Sequence, residues 1–183
     1  QAHTSLHKHT QAHRSLHKHT QAHTSTHKHT QSHTTVNAAS DKPNFVIVMA
    51  DDLGYGDLGV YGSKLIKTPN LDRMALNGAR FDSFYSSANI CTAARGGLLT
   101  GRYPIRLGLV NDVARPTNEI HLAEEEITIA EALKPLGYRT GLFGKWHLGS
   151  RVEWSPLHAG FDTYFGVLHS NDMLPLELYS QET

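Results

Sequence analysis

The sequence predicts an α/β fold on a mixed, largely parallel sheet flanked by helices, and three observations lead there. Asn44 to Ala50 is an unbroken, β-branched apolar run without alternation, the pattern of a strand buried on both faces. Helices with legible starts and stops follow it at 68–78, 93–100 and 128–137. A second strand, opening after Arg139 and punctuated by glycine, runs into a charged loop at Lys145-Trp146-His147.

Composition sets the outer bounds. The chain has 183 residues, 17 basic and 17 acidic side chains and 39% hydrophobic residues, which places it among globular proteins. This balance gives no electrostatic reason to expect a nucleic-acid partner, and no apolar run is long enough for a membrane span. The amino end lacks the basic and apolar regions of a signal peptide, and it starts at Gln1 rather than Met. With a single cysteine there is no internal disulfide framework.

Composition also changes sharply along the chain. Ten of the 14 histidines lie in the first 33 residues, and almost every large apolar side chain follows Asn44. We therefore expect two regions: 1–40, a disordered tail, and 41–183, the folded part. The tail repeats QAHTSLHKHT with a period of ten, too short for a solenoid unit, and on a helix successive copies would rotate by about 80° and lose any apolar stripe. Its imidazoles at His3, His7, His9, His13, His17, His19, His23, His27 and His29 suit a transition metal such as Zn, Ni or Cu, and low-complexity sequence without a ligand is the competing reading.

In the folded part, the first apolar run ends in Asp51-Asp52-Leu53-Gly54-Tyr55-Gly56-Asp57. Ligands of open α/β sheets sit beyond the carboxyl ends of the strands, and two adjacent carboxylates there favour a hard cation; an acidic turn is the alternative. Thr68 and Pro69 start a short helix that stops at Gly78, with Leu71, Met74 and Ala75 as its expected buried stripe. Ala79 to Tyr85, with Phe81 and Phe84, reads as a strand leading toward Cys91. Cys91 would then sit where a loop becomes the helix Ala93 to Thr100, close to Arg95 and to first-turn N–H groups that favour an anion; taken alone, a lone cysteine is as compatible with a small buried hydrophobe.

Residues 111–121 read as a surface loop, ending at an exposed His121. Thr128 and Glu131 form a capping box for a helix that Pro135 and Gly137 end. Lys145 and His147 stand two apart, so an extended segment would present both on one side, a geometry suited to one anion and a proton.

Four stretches together resemble the sulfatase family. They are the Asp51-Asp52 strand end with Gly54-Tyr55-Gly56-Asp57-Leu58-Gly59, the run Cys91-Thr92-Ala93-Ala94-Arg95 with Leu99-Thr100-Gly101-Arg102, the run Gly144-Lys145-Trp146-His147-Leu148-Gly149, and the block from Gly160 to Asp172. The resemblance covers residues 44–172 and implies the amino-terminal part of an arylsulfatase-like, alkaline-phosphatase-like catalytic domain, incomplete in this chain. It further implies a sulfuric ester hydrolase in which Cys91 is converted to formylglycine by a formylglycine-generating enzyme. Asp51, Asp52 and the modified Cys91 would bind Ca2+ or Mg2+; Cys91, Arg95, Lys145 and His147 would be catalytic; and Lys145, His169 and Ser170 would face the substrate, a sulfate ester small molecule or a sulfated glycan. A secreted, lysosomal or periplasmic location follows by the same analogy. Two alternatives accompany this reading: a phosphate or phosphonate ester hydrolase of the same superfamily, and a non-catalytic His-rich metal-binding protein on a decayed sulfatase scaffold.

Overall fold

A computed structural model describes residues 42–182. The nine tail histidines singled out above lie outside the described residues. The chain divides into two units between Ile47 and Val48. Of the first unit, residues 42–47 are exposed and carry no regular structure.

The second unit holds three α-helices, α1 Pro69–Asn77, α2 Cys91–Thr100 and α3 Ile129–Leu133, and three strands, β1 Gly141–Lys145, β2 Thr163–Val167 and β3 Tyr179–Glu182. The strands form one sheet in the order β1-β2-β3. β1 and β2 run parallel, with Gly141 opposite Thr163 and Gly144 opposite Gly166, whereas β2 and β3 run antiparallel, with Thr163 opposite Glu182. The sheet is therefore small and mixed, not largely parallel. The connections explain the difference. Residues 146–162 are long enough for a crossover, while the chain after Val167 turns back at once, with Met173 N–H donating to the Ser170 carbonyl (3.1 Å), so the next strand must return antiparallel.

Two further strand expectations fail in the same way. Neither Asn44 to Ala50 nor Ala79 to Tyr85 belongs to a strand, and both are exposed: Val46 is 86% and Tyr85 82% accessible. An apolar, β-branched run is a strand only where neighbouring chains accept its backbone bonds and cover its faces, and among the described residues no strand pairs with either stretch.

The core is built where α2, α3 and the sheet meet. Ala93, Leu107, Leu109, Leu122, Ala130, Trp146, Leu148, Phe161, Tyr164 and Leu168 form one buried cluster. Gly96 lets α2 sit down on it, since a Cβ there would come within 2.7 Å of the Leu109 Cδ1 and 3.1 Å of the Leu107 Cδ1. α3 carries the expected capping box: Glu131 N–H donates to the Thr128 Oγ1 (3.3 Å) and Thr128 N–H to the Glu131 Oε2 (2.8 Å). It ends in a 3₁₀ turn, Lys134–Leu136, closed by Gly137 at φ 82°.

α1 departs from expectation. Leu71 and Met74 are exposed, and no residue of α1 is buried. The helix is tied instead through its polar start: the Asp72 Oδ1 accepts from Val60 N–H (2.7 Å) and from the Thr68 hydroxyl (2.9 Å), and the Thr68 Oγ1 accepts from Gly59 N–H (2.8 Å).

Candidate active site

Two backbone features place the functional side chains. Cys91 is the first residue of α2, and Ile90 before it is extended (φ −119°, ψ 146°), so the chain enters the helix through Cys91. The exit from β1 is fixed by Trp146 N–H and His147 N–H, which continue the β2 pairing by donating to the Val167 and Leu168 carbonyls (2.9 Å each). Thr92 joins the two: its fully buried hydroxyl donates to the His147 carbonyl (2.9 Å). The start of α2 and the end of β1 are thereby held side by side.

On this frame four of the predicted residues converge. The Asp51 carboxylate accepts from the Lys145 Nζ (2.9 Å) on one oxygen and from the Arg95 Nη2 (3.3 Å) on the other. Arg95 also donates through Nη1 to the Lys145 carbonyl (2.6 Å), and the Lys145 Nζ reaches the Ser170 Oγ (3.0 Å). Both cations have mostly buried side chains, 12% accessible, against 41% for Asp51. The Lys145 hydrogen bond, more than its charge or that of Arg95, holds the Asp51 carboxyl below the usual carboxylate range, against an opposing effect of burial.

His147 is wholly buried, and neither ring nitrogen has a hydrogen-bond partner. The Ala114 backbone approaches the ring without forming a bond of good geometry. Burial first, and then the positive charges of Lys145 and Arg95, push its pKa down to about 4, so the ring is a neutral base near pH 7. His147 (φ 61°) and Asp52 (φ 55°) are also the only non-glycine residues with positive φ among the described residues. Local strain of that kind persists where the surroundings over-determine it, and it concentrates at functional sites.

The remaining predicted residues are placed less centrally. Asp52 is exposed next to Asp51, and Cys91 is a free, partly buried thiol. His169 is buried with Nδ1 against the Ser170 carbonyl (2.9 Å) and Nε2 against the Pro175 carbonyl (2.8 Å), so both of its nitrogens face backbone. His121 is partly buried rather than exposed, its ring stacked on Trp154 at 4.1 Å.

Sequence reading missed three contributors. Thr92 looked like a polar neighbour of Cys91 and is the bridge between α2 and β1. The Ser170 hydroxyl holds the Asp172 carboxyl below the usual carboxylate range, and the Lys145 charge adds to this more weakly. Arg115, on what reads as a plain surface loop, follows Ala114, whose N–H donates to the Thr92 Oγ1 (3.0 Å). Their roles come from the folded arrangement: Thr92 meets the loop before Arg115 across 22 positions, and Asp172 is drawn in with Ser170 beside Lys145.

The donor chemistry bears on a cation. Asp51 and Asp52 offer hard oxygen atoms, the type that Ca2+ or Mg2+ prefers. They fit part of a coordination shell only, because among the described residues no group of three or more His, Cys, Asp and Glu side chains gathers to hold a metal ion. Two grooves border the region, one lined by Ile90, Ala93, Tyr103 and Val110 and the other by Leu122, Trp146, Trp154 and His158. Asp51, Cys91 and Lys145 line neither.

Comparison with known proteins places this arrangement. The Sulfatase family profile matches residues 43–182. Arylsulfatase A of Bos taurus is 46% identical over 142 residues, a match covering 76% of this chain and 28% of that protein. N-acetylgalactosamine-6-sulfatase of Rattus norvegicus is 46% identical over 135 residues, covering 70% of this chain and 26% of the relative. Among solved structures, one described under the metabolism of multiple glycosaminoglycans by Bacteroides thetaiotaomicron superposes with a TM-score of 0.70 at 36% identity, covering 77% of this chain and 31% of that one. The crystal structure of Ps i-CgsB gives 0.64 at 37% identity, over 67% and 27% of the two chains. The chain thus spans between a quarter and a third of the length of these relatives. With the profile covering nearly all of the described residues, the chain belongs to the sulfatase family.

Proposed function

We propose that this chain carries the nucleophile-bearing part of a sulfuric ester hydrolase of the arylsulfatase type. The observation that carries the reading is the convergence of Asp51, Arg95, Lys145 and Ser170 beside the first turn of α2, where Cys91 begins the helix. In this reading Cys91 is oxidised by a formylglycine-generating enzyme, and the residue so formed supplies the attacking oxygen. Asp51 and Asp52 would hold a divalent cation, whose charge would polarise the sulfate oxygens.

The chain's own residues take the other roles. Lys145 and Arg95 set two positive charges where a sulfate would lie, each held by hydrogen bonds before substrate arrives, so little reorganisation is needed to stabilise charge developing on it. The buried ring of His147 is neutral near pH 7 and is the base of this reading; with its pKa pushed down to about 4 it takes a proton only when negative charge is brought beside it. Ser170 orients the Lys145 ammonium, and His169 braces the backbone behind Ser170.

The substrate would be an aryl sulfate or a sulfated glycan. The glycan is favoured by the names of the relatives, one an N-acetylgalactosamine-6-sulfatase and another, Ps i-CgsB, also solved in complex with k-i-k-neocarrahexaose. Among the described residues no helix is long and apolar enough to cross a membrane, and we place the protein on the secretory or periplasmic route by family analogy. Because the chain supplies only part of a cation shell, we propose that it does not turn over an aryl sulfate by itself.

Mass spectrometry of the Cys91 peptide, from a host that converts other sulfatases, tests the nucleophile. The aldehyde mass is the expected result. An unmodified thiol would refute the assignment and favour the decayed scaffold.

A further inference from the structure

We infer that Arg115 determines specificity by taking a second anionic group of the substrate, a carboxylate or another sulfate close to the ester that reacts. The inference rests on the sulfate-ester reading above and concerns a loop which that reading does not use.

The position of Arg115 is built by hydrogen bonds. Thr92 follows Cys91 on α2, and its Oγ1 accepts from the N–H of the fully buried Ala114 (3.0 Å). The residue after Ala114 is thereby fixed beside the nucleophile end of the helix. Asn118 then closes the loop from the other side: its Oδ1 accepts from Arg115 N–H (3.0 Å), its Nδ2 donates to the Val113 carbonyl (3.0 Å), and its own N–H donates to the Arg115 carbonyl (3.2 Å). Pro116 further restricts the backbone of Arg115 to extended conformations. Both backbone polar groups of Arg115 are thus tied, and the chain direction at this residue is set.

The side chain, in contrast, is free to exchange partners. It is 45% accessible, and it donates through Nη2 (2.8 Å) and Nε (3.5 Å) to Asp112, itself 47% accessible and three residues away. Exposed pairs of this kind are weak, so a substrate anion can displace Asp112. A guanidinium offers a planar fork that matches carboxylate or sulfate oxygens two at a time. Rooted one residue beyond the N–H that Thr92 holds, a side chain of this length reaches the rim of the reacting centre.

The other two cations have different duties. Arg95 is committed to Asp51 and the Lys145 carbonyl, and Lys145 to Asp51 and Ser170. Arg115 comes from a separate loop and shares no hydrogen bond with the Asp51 cluster. That geometry suits a neighbouring anion rather than the reacting sulfate. A substrate with two anions, such as a disulfated sugar or a sulfated sugar joined to a uronate, would be gripped at both.

The test compares two probes on the full 183-residue chain in calcium-containing buffer: N-acetylgalactosamine 6-sulfate and the same sugar carrying a second sulfate. Affinities are measured by calorimetry for the parent and for R115Q, R115K, D112N and K145A. We expect the disulfated probe to bind about tenfold more tightly than the monosulfated one, the scale of one charge-assisted hydrogen-bonded contact. R115Q should remove that advantage while changing the monosulfate affinity less than about twofold. R115K should retain part of the advantage, because it keeps the charge and loses the fork. D112N should strengthen disulfate binding by freeing the guanidinium. Equal loss of both probes in R115Q, or no loss, overturns the inference and leaves the sulfate site standing. Monosulfate binding that survives K145A, or no binding of either probe by the parent chain, overturns the sulfate-site reading itself and the inference with it.

Discussion

Replacing Thr92 by valine tests whether one hydroxyl holds the site together. Valine has nearly the same shape, so the change opens no cavity, and its methyl would gain roughly 1 kcal/mol from burial. Against this, the Thr92 Oγ1 both donates to the His147 carbonyl (2.9 Å) and accepts from Ala114 N–H (3.0 Å), at a position with no accessible surface. Removing it leaves two buried backbone groups without a partner, each at a cost of about 1 to 3 kcal/mol. The net loss is therefore about 1 to 5 kcal/mol, large against the total stability of a small domain. Thr92→Ser keeps the hydroxyl and removes one methyl, for a loss of about 1 kcal/mol. Urea midpoints of the two variants against the parent chain settle the order, and amide exchange at Ala114 reports the broken bond directly. If T92V proves as stable as T92S, or more so, the bridge carries no weight and the placement of both His147 and Arg115 loses its physical basis.

Three further outcomes follow from the same structure. Stability should fall as pH drops from about 6.5 to about 4, because His147 is neutral in the fold down to about 4 while the unfolded chain binds the proton from 6.5; the loss totals roughly 3 kcal/mol. Asp51, whose carboxyl is held low by Lys145, adds its own loss only at more acid pH, so an urea midpoint that stays flat between pH 6.5 and 4 would contradict the buried neutral ring. Gly96→Ala should lower the thermal midpoint: a gain of about 1 kcal/mol in helix propensity is outweighed by the clash with Leu109 and Leu107, about 1 to 3 kcal/mol, and an unchanged or raised midpoint would show that those side chains yield. Finally, we propose that the His-rich repeats bind Zn2+ or Ni2+ more tightly than about 0.1 mM, an affinity that disappears on deleting residues 1–40; titrations that coincide with and without the tail would remove that role.

The parts of the fold that were legible in sequence are those decided locally. The capping box at Thr128 and Glu131, the stop at Gly137 and the helix after Ile90 depend on neighbours within one turn, and they appear where the sequence puts them. Strands were a different matter. The β-branched run from Asn44 to Ala50 states a preference for pairing, yet pairing needs a partner chain and two covering faces, and sequence pattern alone does not say which partners a given stretch of chain supplies. The same limit applied to α1, where Leu71 and Met74 mark an apolar stripe but the described structure holds the helix by Thr68 and Asp72.

The site divides along the same line, and this bears on where new specificity should be sought. Asp51, Arg95 and Lys145 were singled out because they sit inside recognisable motifs, and in the structure Arg95 and Lys145 meet on the Asp51 carboxylate. Thr92 lies inside a motif too, but its role comes from bonds to His147 and Ala114, both distant in sequence. Arg115 has no motif, and its backbone is set beside the start of α2 only because Ala114 is bonded to Thr92. A residue placed in that manner can change without disturbing the groups that do the chemistry, since the loop is held by its backbone and by Asn118 rather than by the side chain at position 115. In the proposed reading, chemistry rests on side chains that hold one another, and selectivity on a side chain whose backbone is fixed and whose one ion pair, with Asp112, is exposed.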